Sequence, residues 1–147
     1  MAGSSVQVGT YQGWVRFMFD IKGSQRCSYR LRYTHGYAGG GQVTKDLIQA
    51  NRQMVYIGNA DILVSGHTHD AWNVPIRREI LLDSGRPVLQ DVEVVKCGGY
   101  KDEFSPGSGW AVSKGHAPKP LGAYWLKFFL DRSKQRYEVR YEVQRAK

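Results

Sequence analysis

Ala60-Asp61-Ile62-Leu63-Val64-Ser65-Gly66-His67-Thr68-His69-Asp70 is the stretch on which the fold turns. Asp61 to Ser65 is short and carries little polar relief, which predicts a strand buried on both faces. Gly66 permits a tight turn where that strand ends. His67 and His69 stand two residues apart, a spacing that turns two imidazoles to the same side at a strand terminus.

Upstream of this stretch a helix is expected. Thr44 is a good N-cap, Val43 and Ile48 occupy the two positions of a hydrophobic staple, and Asp46 suits the first turn. Val43, Leu47, Ile48, Ala50, Met54 and Val55 supply an apolar face at helical spacing, and Gly58-Asn59 marks the end. Before the helix come two strand candidates, Tyr11 to Phe19 and Ser28 to Thr34. In the second, Tyr29, Leu31 and Tyr33 alternate with Arg30 and Arg32. A turn from Asp20 to Gln25, containing Gly23, joins them as a hairpin. The second strand runs into His35-Gly36 and then Gly39, Gly40 and Gly41.

Downstream the chain reads as β-rich. Ile76 to Leu82, Val88 to Lys96, Ala123 to Leu130 and Gln135 to Val143 are strand candidates, and Asp131 to Lys134 is a turn before the last. In that last strand Tyr137, Val139, Tyr141 and Val143 alternate with Arg136, Glu138, Arg140 and Glu142. Gly98 to Pro120 has no clear period and reads as a long surface loop, a kind of segment that often carries function. The fold class expected is α/β, rich in β, without internal repeats.

The 147 residues suit one domain or part of a larger one. Hydrophobic residues make up 41% and charged residues 23%, the balance of a globular protein rather than a disordered chain. No apolar run reaches the ~18 residues of a membrane span, and Met1 to Val8 has no secretory pattern. Cys27 and Cys97 are too few and too far apart for a disulfide framework, so two reduced thiols and a cytoplasmic location are expected, with no membrane partner. Twenty-one Lys and Arg against thirteen Asp and Glu give a net charge of +8, densest from Lys127 to Lys147. Such an excess draws nucleic acid or an anionic substrate, or is merely a basic surface.

Histidine carries the chemistry. His35, His67 and His69 each follow a predicted strand, and three neutral imidazoles at one sheet edge suit zinc, manganese, iron or nickel. The competing reading has His67 and His69 bonding loop carbonyls only. Gly39 to Gly41 forms either an anion-binding nest or a flexible turn, and it lacks the lysine and hydroxyl of a nucleotide P-loop. His116, in Lys114-Gly115-His116-Ala117-Pro118, reads as a solvated loop residue.

The segment Ala60 to Asp70 resembles the last metal-binding motif of the calcineurin-like metallophosphoesterases, in which a strand ends in Gly-His-x-His. Thr34-His35-Gly36, at a strand end and followed by a helix, resembles the isolated histidine ligand of the same family. The form His-Gly-x-x-Gly-Gly-Gly looks most like phage and bacterial members. The resemblance covers His35 to Asp70 and extends into the β-rich tail, where Tyr100 to Gly122 is similar to the tail of such proteins. It implies a four-layer αββα sandwich and two divalent metals bridged by hydroxide, which attacks phosphorus in line. His35 and His67 would then bind one metal and His69 the other.

Three motifs of that family, Asp-x-His, Gly-Asp and Gly-Asn-His-Asp/Glu, do not occur here. Asp61 and Asp70 are poor substitutes, since one begins a buried strand and the other follows the histidine pair. Two cations ~3.5–4 Å apart repel strongly, and three neutral imidazoles add no negative charge to offset that. At most one ion is therefore expected, with no catalytic residue assigned. Residues 1–147 are expected to be a single partial domain, the C-terminal half of the sandwich without its N-terminal metal-binding half. As a metal-dependent phosphoester hydrolase such a chain is incomplete. Its expected partners are a second copy or a separate N-terminal complementing chain, covering the apolar face that half a sandwich exposes, together with a phosphoester substrate. The alternative is a basic nucleic-acid-binding or structural module that keeps the scaffold without catalysis, using Trp110 and Trp125.

Overall fold

The alternation between residues 12 and 34 builds an antiparallel hairpin. Strand β1 (Gln12–Ile21) pairs with β2 (Gln25–Thr34), placing Phe17 opposite Tyr29 and Trp14 opposite Arg32. The computed structural model describes residues 9–21, 25–37, 41–104, 107–132 and 137–146. Half of the expected Asp20 to Gln25 turn, Gly39 and Gly40 of the glycine cluster, and Ser133 and Lys134 of the Asp131 to Lys134 turn lie outside the described residues. Helix α1 (Leu47–Tyr56) then returns the chain so that β3 (Ile62–Ser65) lies parallel to β2, as a crossover between parallel strands requires. β4 (Trp72–Leu81) and β5 (Pro87–Lys96) form a second hairpin, with β5 inserted parallel to β3. The mixed sheet runs β1-β2-β3-β5-β4. A short helix, α2 (Trp110–Ser113), interrupts the long loop, and β6 (Tyr124–Asp131) and β7 (Glu138–Arg145) make a separate two-stranded sheet. The result is a β-rich α/β fold.

Residues opposite one another in register share a face. Leu63, Val94, Val92 and Ile76 therefore line one side, where Ala50, Met54 and Ile57 of the helical segment meet them. Leu63 is 3% exposed, Val92 0% and Val94 2%, so the core lies between α1 and strands β3, β5 and β4. The opposite face carries Phe17, Phe19 and Tyr29, onto which Phe128 and Tyr141 of the β6–β7 hairpin pack. The Tyr29 hydroxyl donates to the Val139 carbonyl across this second interface. The two covers are staggered. On the helix side, β1 and β2 are left open, with Trp14 50% and Met18 73% exposed.

Charged side chains fix the register at the start of β3. Arg30 donates to Asp61 from its backbone N–H (2.7 Å) and from its guanidinium (3.0 and 3.1 Å), and Gln90 adds a further bond to the same carboxylate (2.7 Å). Arg78 reaches the Ile57 and Ala60 carbonyls, both at 3.0 Å, and so closes the turn after α1.

Two details depart from expectation. The helix starts at Leu47, not Thr44: Lys45 and Asp46 are left-handed (φ 45 and 68) and the Asp46 carboxylate is bound to Lys96. Val43 is 93% exposed and Ile48 52%, so no staple is buried and the inward face reduces to Ala50 and Met54. The strand expected from Ile76 begins instead at Trp72 and takes in Pro75, which the sheet tolerates because β4 is an edge strand. Among the described residues no helix is long and apolar enough to cross a membrane.

Candidate metal centre and adjoining cavity

Strands β2, β3 and β5 run parallel, and their carboxyl ends lie at one rim of the sheet, the side on which open α/β sheets place their ligands. His35 follows β2 directly, and His67 follows β3 after Gly66. The two loops touch: the Gly66 N–H donates to the His35 carbonyl at 3.2 Å. Gly36 makes the approach possible. Its φ is +96°, and a Cβ at this position would lie 2.7 Å from the Gly66 carbonyl oxygen. Thr34 Oγ1 accepts the Gly36 N–H at 3.2 Å, while the Tyr11 carbonyl accepts the His35 N–H at 2.6 Å. The Tyr11 ring stands edge-on to His35 with centroids 5.8 Å apart.

This framework brings His67 Nδ1 to 3.0 Å from His35 Nε2. At that distance one protonated nitrogen donates to the lone pair of the other. Two imidazole ligands with bonds of about 2.0–2.1 Å to one tetrahedral ion would stand about 3.3 Å apart, a few tenths of an ångström wider than this hydrogen-bonded pair. Two imidazole donors are the right chemistry for a divalent metal, and a small separation of the two rings would let them share one.

The third histidine is not part of this pair. His69, left-handed at φ 58, lies against Gly99, where an added Cβ would come within 3.2 Å of its ring. Its Nδ1 is 3.8 Å from Glu103 Oε2, and Lys101 approaches the other oxygen of that carboxylate at 3.4 Å. His67 is also left-handed, at φ 73. A positive φ at two non-glycine residues in one short loop is costly backbone, of the kind found at functional sites. Among the described residues no group of three His, Cys, Asp or Glu side chains is placed to hold a metal.

The two aspartates weighed as extra ligands are engaged elsewhere. Asp61 belongs to Arg30 at the far end of β3, and Asp70, 3% exposed, is bound by Lys119 at 2.7 Å. Cys97 follows β5 at the same rim, its N–H donating to Ser65. Burial pushes its thiol above the ordinary range, so it is a thiol and not a thiolate at neutral pH. Both cysteines are free.

Comparison with known proteins finds no match. No family model, no curated protein and no solved structure is similar enough to this chain to assign it a relative.

Beside His67 and His69 lies a cleft of about 490 Å³, partly open to solvent and lined mainly by residues between Gly99 and Leu121. Phe104, Trp110 and Leu121 give it apolar walls; Lys101 and Lys119 give it cations, and Asp102 and Glu103 give it carboxylates. His116, expected as a solvated residue, is exposed but stacks on Trp110, with centroids 5.4 Å apart and planes 26° apart. Glu103 was not legible as a site residue, because it lies in an aperiodic loop whose return to His69 depends on the Gly99 to Leu121 bridge. The Lys96–Asp46 pair was hidden too. Lys96 ends a predicted strand and is 0% exposed, a position sequence alone assigns to an apolar residue.

Proposed function

We propose that this chain is the C-terminal part of a calcineurin-like metallophosphoesterase sandwich and holds one divalent ion, manganese, zinc, iron or nickel, between His35 and His67. The observation that carries the reading is the 3.0 Å approach of two imidazole nitrogens from the ends of two neighbouring parallel strands. The reaction assigned is phosphoester hydrolysis: an oxygen of water joins phosphorus, the ester P–O bond breaks, and the water's proton leaves with the alcohol. A bound ion would supply Lewis acidity and lower the pKa of a water.

The chain's own residues do the rest. His35 and His67 hold, with their loops locked together at Gly36 and Gly66. His69, steadied by Glu103, presents an imidazole on the wall of the cavity. Because imidazoles are neutral, the site carries no charge to offset a second cation, and one ion is the expected load. The reading includes a partner, a second copy or a chain bearing the missing motifs, over the open side of β1 and β2.

Calorimetric titration with Zn²⁺ and Mn²⁺ tests this. One ion per chain is expected, with affinity falling ~100-fold or more in His35→Ala and in His67→Ala, at least the loss seen when even outer supports of a metal site are removed. His69→Ala should change it little. Equal affinity in all four proteins would overturn the reading.

A further inference from the structure

We infer that the cavity beside His67 and His69 is a subsite for a planar-ring phosphate ester, of which a nucleoside monophosphate is the class that fits. This deepens the phosphoester reading and, for its biological meaning, rests on it. Three observations carry it. The volume, about 490 Å³, is that of a small-molecule pocket. Its wall joins two imidazoles to a flat aromatic shelf, Trp110 stacked on His116, with Phe104 also in the lining. The shelf is not consumed by the core, for Trp110 is 58% exposed.

An ester without a ring would leave that shelf unused, whereas a nucleobase stacks on such surfaces whatever its identity. The cations divide the work. Lys119 is committed to the buried Asp70 at 2.7 Å. Lys101, 75% exposed and 3.4 Å from Glu103, would exchange that carboxylate for a phosphate, with Asp102 also in the lining. The net charge of +8 favours arrival of an anion.

The experiment is equilibrium binding of adenosine 5′-monophosphate, ribose 5-phosphate and adenosine to the full chain without metal. The monophosphate is expected to bind about tenfold or more tightly than ribose 5-phosphate, as stacking of one base implies. Trp110→Ala should abolish that ratio, and so should His116→Ala, an exposed change that spares the fold. Lys101→Gln should weaken the monophosphate and leave adenosine unchanged. Equal binding of the two phosphates, ratios untouched by both ring variants, or no binding at all would each overturn the inference. Phosphate release is read separately with Mn²⁺ present. Ring-dependent binding without hydrolysis would count against the phosphoesterase reading alone, and hydrolysis without ring preference against the subsite alone.

Discussion

Gly36 decides whether the imidazole pair exists. With φ at +96° and the Gly66 carbonyl 2.7 Å from where a Cβ would stand, any side chain must separate the two loops. Gly36→Ala is therefore expected to cost ~1–3 kcal/mol, the usual range for a strained backbone position. It should also lower metal affinity as much as loss of a histidine. Denaturant unfolding and calorimetry on the same variant check both; an unchanged affinity would mean that the two rings meet without this contact. Of the three histidines picked out by position, two meet and the third faces Glu103. Strand ends could be read from apolar periodicity, so the rim on which the rings gather was legible. Which ring meets which was not, because it depends on left-handed backbone at His67 and His69, a conformation in which histidine is enriched but still uncommon, so the residue type alone does not signal it.

Among the elements, α1 is tied to the sheet by polar contacts as well as by packing. Lys96 at the end of β5 binds Asp46, and the Trp72 indole donates to the Lys45 carbonyl at 2.8 Å. Asp46 Oδ1 is buried without a hydrogen bond, so the pair is incompletely solvated by protein. Lys96→Met leaves a bare buried carboxylate and is expected to destabilise by ~3–5 kcal/mol. Lys96→Met combined with Asp46→Leu should recover much of that loss, since well-packed apolar pairs often replace buried ions at no cost. Chemical denaturation of the single and double variants decides it; a double variant as unstable as the single would show that the charges are needed for themselves. The pair also explains why the helix could not be delimited from residue types. Thr44, Val43 and Ile48 form a sound local start signal, but Asp46 is drawn away to a partner 50 positions along the chain. The alternating strands β1, β2 and β7, by contrast, needed no distant information to be recognised.

At the scale of the molecule, the interface between the β6–β7 hairpin and the main sheet is aromatic and holds the partly buried hydroxyls of Tyr29 and Tyr141. Burial pushes the Tyr29 phenol up to about 12, helped by Cys27 and the carboxylates of Glu138 and Asp61; Tyr141 is raised as well, again chiefly by burial. Between pH 10 and 12 the folded chain therefore keeps protons that the unfolded chain releases. Stability from these groups is intact below pH 10 and is lost as pH climbs through the folded values. A denaturation series across that window should show falling stability, with a shallower slope in Tyr29→Phe; a flat profile would contradict the burial.

The placement of β3 has a kinetic meaning. β1–β2 and β4–β5 each pair strands that are neighbours in sequence, whereas β3 joins them through parallel ladders on both its sides. Either hairpin can assemble early and locally, but the join must wait for the slower, long-range step. The two imidazoles meet only after that step, so on the proposed one-ion reading uptake of the ion reports the completion of the sheet, and a chain arrested with both hairpins made would still be blind to metal.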